Sequence, residues 1–436
     1  MDVFAGWRID LVDATTTNDL TSYAQGFQIG CQINIGRFSQ TQILLTLNND
    51  DGDFTPAEGG GTGTFSSVDW LSKAIRITPS DDSTVTVGHG FVSNVDIDDN
   101  GTSSRVNIEC RDWVTLSSSD PFDITGSFFT FHYVDAVNTA LGPDGTAFLG
   151  NNGQLPKYGQ PTYDIVVDFE DYSETNSTGY VDTLQVVDGT NVTTLDYLNQ
   201  GLFGGYPSVF VPTDAVGNVP ATDIEYKGFA VSRHLTRSST YRQTFAFSEN
   251  ASGTTLGFNR VVAGFNHDEL TNKATVASGV SGVTSQSSTN TDTGYSYGSR
   301  TRTYTNTGNP VETDGTQEAG ALEAAEFWTK RQGTARYSPQ QLVTSIELLE
   351  TTNGAAGATT LKQLLGASTG LFQPCDVTYT PTGGSQVTAA CVISGRTIQA
   401  VPGRTTITLD LLPAQDYQSF VLDSDTLGVL DTNRLG

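Results

Sequence analysis

The sequence predicts a mainly β protein with a few helices (β+α), with antiparallel barrel or sandwich material at both ends and a mixed region between. Three observations carry this expectation. Apolar and polar residues alternate through the first quarter, as in Ile29, Cys31, Ile33 and Ile35 and again in Ile43, Leu45 and Leu47. The alternation returns near the C-terminus, at Ile407, Leu409 and Leu411. Runs with helical spacing are confined to the middle. A period of two places one face of a segment in a core and the other in water, which is the signature of a strand.

In chain order, further strands are expected at Ala74–Thr78, Thr84–Val87, Phe91–Ile97 and Arg105–Arg111, separated by Gly, Asn and Asp turns. Glu58–Gly63 (EGGGTG) is a flexible loop within this first domain. Beyond Pro121 the pattern changes. Tyr133–Leu141 and Thr194–Gln200 read as short helices, and Gln317–Gln332 as the strongest helix of the chain. Asp314 with Gln317 three residues on resembles a capping box, and Lys330 and Arg331 suit the negative C-terminal end. Val276–Thr307, rich in Ser, Thr, Gly and Asn, is either a long β-arm or a mobile loop. Strands return at Cys375–Thr380, Gln386–Ile393 and Thr405–Leu411, with a hairpin turn at Pro381–Ser385.

The chain has 436 residues, with 48 acidic side chains against 22 basic ones and a formal charge of −26. Charged residues are only 16% of the total, so the acidity reflects a shortage of Lys and Arg. A surface that grips nucleic-acid phosphates is therefore not expected. An aromatic content of 10% argues against a disordered acidic chain. The N-terminus shows no basic region followed by an apolar one, and no stretch reaches the roughly 18 apolar residues of a membrane span. An unprocessed chain made in a cytoplasm is the expectation. Cys31, Cys110, Cys375 and Cys391 form no CxxC pair and read as buried structural thiols, with disulfides second.

The chemistry-bearing motifs have plain alternatives. Asp96, Asp98, Asn100 and Gly101 match the opening of a calcium loop, but its twelfth position is Asn107 and its flanks are strand-like, so a hairpin turn is expected. Asp168, Glu170, Asp171 and Glu174 offer carboxylates for glycoside hydrolysis, yet such pairs come from separate strands, and a solvated strand end is favoured. His89, His132, His234 and His267 show no metal-ligand spacing. There is no nucleophile elbow, Walker loop or dinucleotide fingerprint. The sequence thus singles out no catalytic, cofactor-binding or metal-ligating residue and no cofactor. It favours a structural or assembly protein over an enzyme.

The order of segments is more specific than any of these motifs. LNNDDGDFTP (Leu47–Pro56), GFVSNVDI (Gly90–Ile97) and VNIECRDWVTLSS (Val106–Ser118) follow one another in the N-terminal part. The middle carries TTLDYLNQ (193–200), FNRVVAGF (Phe258–Phe265), YSYGSRT (Tyr295–Thr301) and the Ala-rich run Ala319–Arg331. The C-terminus runs from VTYTPTGG through GRTTITLDLLPA to DTLGVLDTNRL. This ordered set resembles the phage minor tail proteins that form the tail-tip, or baseplate, hub. The resemblance covers most of the chain but not the Gly-rich insert after Pro56 or Pro143–Asp188.

What the resemblance implies is two tube-type β-barrels per chain, assembled as a homotrimer so that six barrels match a sixfold tail tube to a threefold tip. The implied domains are 1–118 for the first barrel, 119–335 for a mixed middle region and 336–436 for the second barrel. Part of 224–247 is expected to join that second barrel, which the middle interrupts. The implied partners are the distal tail or tail tube protein, the tape measure protein and the central fibre or other tip proteins. Tight nucleic-acid binding and a membrane span are not implied. The place is the virion tail tip, assembled in the host cytoplasm, with a leaning towards long flexible tails. DNA would leave through a channel lined by acidic side chains. Two alternatives stay open. One is a carbohydrate- or receptor-binding tip protein using Phe128, Phe129, Tyr158, Tyr163, Tyr172 and Tyr206, and the other a tail-associated hydrolase using the cluster around Asp168.

Overall fold

The computed structural model describes residues 6–12, 17–33, 40–111, 243–264, 272–278, 284–289, 301–306, 343–348, 354–366 and 370–413, short strands between 127 and 232 and at 310–311, and three helical residues, Leu322, Ala325 and Thr329. The protein is mainly β with few helices. Seven antiparallel strands build the N-terminal part: β1 (Trp7–Val12), β2 (Thr17–Asp19), β3 (Ala24–Gln32), β4 (Gln40–Asn48), β5 (Ala74–Pro79), β6 (Gly88–Asp99) and β7 (Ser104–Arg111). They pair in the order β2-β1-β5-β6-β7-β4-β3.

Alternation decides which side chains enter the core of this sheet. Ile29 lies opposite Ile43, which lies opposite Cys110. Leu45 lies opposite Ile108, and Leu47 opposite Val106. All are buried in one apolar cluster. One end of the cluster is closed by aromatic rings. Phe54 and Phe65 stack at 4.9 Å, Tyr23 packs edge-on against Phe54 at 5.0 Å, and the Tyr23 hydroxyl donates to Asp53 at 2.9 Å.

Six later strands close on themselves: β8 (Phe245–Ser248), β9 (Leu256–Ala263), β10 (Val343–Leu348), β11 (Pro374–Tyr379), β12 (Val387–Val401) and β13 (Arg404–Pro413). The circuit runs β12-β11-β8-β9-β10-β13 and back to β12, a six-stranded barrel without a free edge. Of the stretch 224–247, Phe245–Phe247 enters this barrel. Glu225–Ser232 instead pairs with Asp164–Phe169 and Val209–Pro212 in a separate sheet. Val276–Thr307 contributes strand structure: Lys273–Ser278 lies between Gln286–Thr289 and Thr301–Asn306.

The N-terminal sheet and the barrel are joined through one strand, β12. Residues Val387–Val392 of β12 pair with β11, and Gly395–Ala400 pair with Gln32–Phe27 of β3, while β13 follows the opposite edge. The changeover is a bulge between Ile393 and Gly395, where the Ser394 carbonyl accepts from Ile33 N–H at 2.6 Å. A Cβ on Gly395 would stand 2.7 Å from Asp410 Oδ2 and 3.3 Å from the Cys31 carbonyl oxygen, so no side chain fits there.

Beside the bulge, Arg396 is 2% exposed. Its Nη1 donates to the carbonyls of Leu364 at 3.0 Å, Leu365 and Gly366, at the C-terminal end of helix α1 (Gly354–Leu365), and its Nη2 donates to Val87 of the N-terminal part at 3.1 Å. A cation meets the negative end of a helix favourably, and carbonyls of its last turn gain a donor. Lys362 of the same helix reaches Asp81 at 2.8 Å, across to the β5–β6 loop.

Two sequence expectations differ from what is observed. Thr84–Val87 is a turn, because Asp82 Oδ1 accepts from the Thr84 hydroxyl at 2.6 Å and from its N–H at 3.2 Å, and β6 begins only at Gly88. Helix α1 was not expected at all, since its Gly and Thr content is poor for helix. It is held by the burial of Leu361, Leu364 and Leu365 and by Arg396. Tyr133–Leu141 and Thr194–Gln200 lie outside the described residues. Of Gln317–Gln332 the structure describes Leu322, Ala325 and Thr329, all helical.

Replacing Arg396 with Leu leaves buried carbonyls without their donor, each costing roughly 1–3 kcal/mol. Denaturant unfolding of Arg396→Leu is expected to show a loss of about 3 kcal/mol or more, while Gln399→Ala, exposed on the same strand, stays within about 0.5 kcal/mol.

Candidate functional site

Three features bear on function: a buried ion row on the N-terminal sheet, an acidic loop cluster at one end of it, and a groove where the sheet meets the barrel. The ion row lies on the face of β1, β5 and β6 away from the core. Asp10 is fully buried and accepts from Arg8 Nε at 2.9 Å and Arg76 Nη2 at 3.0 Å. Arg76 lies opposite both Asp10 and His89 in the strand register. The hydrogen bond and charge of Asp10 raise the Arg8 pKa. His89 is pushed down to about 3, first by burial and then by the charge of Arg76. The row is a neutral histidine beside an ion pair in which Arg76 donates through Nη2. It stabilises strand register and offers no nucleophile.

The acidic cluster joins two loops. Asn49 N–H donates to the Ser104 carbonyl at 2.9 Å, and Ser104 N–H donates to Asp50 Oδ1 at 2.9 Å. This brings Asp50, Asp51 and Asp53 to the same end of the sheet as the β6–β7 hairpin with Asp98 and Asp99. The calcium-like motif sits in that hairpin. Asp96 and Asp98 are on β6, and Asn100 Oδ1 accepts from the N–H groups of Thr102 and Ser103 at 3.0 and 2.9 Å, closing a turn with Gly101 at a φ of 77°. Asn107 lies opposite Asp96 on β7, and its Oδ1 accepts from Thr46. Among the described residues no three His, Cys, Asp or Glu side chains are placed to hold a metal ion.

The groove encloses about 550 Å³ between β1, the start of β3 and the β12–β13 hairpin. Trp7, Phe27, Ala400 and Val401 line it, and Trp7 Nε1 donates to Thr405 Oγ1 at 3.2 Å, tying the hairpin of the barrel to the first strand of the sheet. Trp7 meets Phe27 edge-on at 5.2 Å.

The remaining sequence candidates are scattered. Asp168 is on the strand Asp164–Phe169, paired with Ala230, whereas Glu170, Asp171 and Glu174 lie outside the described residues. Phe128 and His132 are on separate two-residue strands. Phe129, Tyr158, Tyr163, Tyr172, Tyr206, His234 and His267 also lie outside the described residues. All four cysteines are buried as free thiols. Burial pushes Cys391 up to about 12 and raises Cys110 and Cys375 as well. The sequence reading missed Asp10, Arg76 and Arg396. Each is a charge within a strand that also carries core residues (RIDLV, AIRIT, ISGRTIQA), and that interruption was the available signal.

No protein-family model matches the sequence, and no curated protein matches it. Solved structures do. The tail protein from Neisseria meningitidis MC58 superposes with a TM-score of 0.54 over 94% of this chain and 98% of its own, at 10% identity. The 43 kDa tail protein of prophage MuSo2 from Shewanella oneidensis gives 0.52 over 94% and 99%, at 11% identity. The chain therefore has the fold of phage tail proteins.

Two outcomes follow. Neutral in the folded protein, His89 takes up a proton on unfolding below its ordinary value near 6.5. Its contribution is full above that pH and falls as the pH drops from about 6.5 towards 3, by at most about 1.4 kcal/mol per pH unit. The difference in melting temperature between wild type and His89→Gln should therefore change across that window and be flat above it. A thiol reagent at neutral pH should leave the folded protein unmodified and label four cysteines after unfolding. Rapid labelling of the folded chain would contradict the burial.

Proposed function

We propose that the chain is a structural virion protein forming the trimeric tail-tip, or baseplate, hub that closes or extends a tail tube. The observation that carries this reading is the fusion of the seven-stranded N-terminal sheet to the closed six-stranded barrel through β3 and β12. A subunit with two similar barrels held side by side is what a threefold assembly needs to meet a sixfold tube, since three copies then present six barrels. Full-length likeness in fold to two phage tail proteins supports it.

In this reading residues 1–118 and 336–436 are the two tube-type domains. Residues 119–335 are the middle domain, whose strands β8 and β9 are lent to the second barrel. The subunit contacts further copies of itself, the distal tail or tube protein, the tape measure protein and a central fibre or other tip proteins. It sits at the tail tip after assembly in the host cytoplasm. It holds no cofactor and catalyses no reaction. DNA passes out through a channel lined by acidic side chains. Like charge there keeps phosphates from lodging.

The test is made on purified particles. Quantitative mass spectrometry of tails should find the chain at three copies per tail, and gold-labelled antibody should mark the end distal to the capsid. Its absence from tails, or labelling along the tube, would overturn the hub reading.

A further inference from the structure

Two adjacent rows on the outer face of the fused sheet carry no ionisable side chain. Across β13, β12, β3 and β4 the register sets Thr406, Gln399, Gln28 and Leu44 in one row. Thr408, Thr397, Gly30 and Gln42 form the next. Gln28, Gln42, Leu44 and Gln399 are exposed, and the threonines are half-buried. No side chain in these two rows ionises, although the chain has a formal charge of −26. Charge begins at the margins, with Glu109 on β7 held by Arg111 at 2.9 Å and with Asp410 towards the end of β13. Four strands at a spacing of about 4.8 Å make a band about 15 Å wide that crosses from the barrel to the N-terminal sheet.

Solvated sheet faces ordinarily rely on Lys and Glu for solubility and to resist pairing with other chains. Amides and hydroxyls hydrate a surface without creating a field. A cationic wall holds a passing polyanion by releasing its counterions, and an anionic wall in a narrow passage raises a barrier to entry. An uncharged polar wall does neither. We propose that this Gln- and Thr-rich face is the wall of the hub's passage, a surface along which a polyanion slides without being held or repelled. The surplus acid then lies off the wall, in clusters such as that around Asp50. The inference rests on the hub reading and replaces a channel acidic along its length with one that is neutral where the two barrels join.

Thiol accessibility tests it, because the four native cysteines are buried. Gln28→Cys and Gln399→Cys place a single reactive thiol on either side of the seam. In the free subunit both variants should react with a small maleimide and with a maleimide carrying a long poly(ethylene glycol) chain. In assembled tails the small reagent should still react and the long one be excluded. Reaction with both would put the face on the outside, and reaction with neither would make it a contact between copies. Either result overturns the inference. As a second readout, tails carrying Gln28→Lys should release DNA several-fold more slowly at low salt, with the delay relieved as salt is raised, and unchanged release would also overturn it. These outcomes, read on tails that contain the protein, leave the hub reading standing. Absence of the protein from tails is the separate result that removes it.

Discussion

The antiparallel pairing of Gly395–Ala400 with Phe27–Gln32 joins the N-terminal sheet to a barrel far from it in sequence, and the geometry around it follows from that pairing. A strand has two edges. Along one of them β12 pairs with β11 in its first half and with β3 in its second, β13 taking the other, and the chain must bend where the partner changes. The bulge at Ser394 supplies the bend, and its carbonyl is satisfied by Ile33. Gly395 supplies the space, since β13 and β3 both close in on it. Arg396 then fixes the joint from the inner side by drawing the end of α1 and the Val87 carbonyl onto one guanidinium. Burial of that charge is tolerated because its donors meet carbonyls at a helix terminus.

Strands with a solvated face were legible. Ile29, Cys31, Ile43, Leu45 and Leu47 alternate in sequence and enter the core, as do Ile407, Leu409 and Leu411. The mainly β class followed from them. The joint was not legible, because pairing residue 31 with residue 396 leaves no local trace and strand register is decided by long-range contacts. The parallel placement of β8 against β9 and β11 is equally non-local. Helix α1 escaped notice because tertiary packing of three leucines overrides a Gly- and Thr-rich composition. The hairpin nature of the calcium-like motif was readable from its strand-like flanks. The neutral outer face needed the register before Gln28 and Gln399, so distant in the chain, became neighbours.

Charge separates along the described part of the molecule. Carboxylates gather in the Asp50 loop and the β6–β7 hairpin, while the band across the seam is amide and hydroxyl. A net charge of −26 therefore gives no direct account of what any one surface presents. Like-charged subunits also repel, so copies meet most readily over surfaces where charge is sparse or complementary. The groove beside the joint is of mixed character, with Trp7, Phe27 and Val401 facing it alongside Gln25, Thr405 and Arg404.

Electron cryomicroscopy of the tail tip tests the central claim most directly. The account predicts three copies of this chain around the axis, giving a ring of six barrels with the β12–β3 joint within each subunit. A ring of six chains, or of single barrels contributed by each chain, would contradict it.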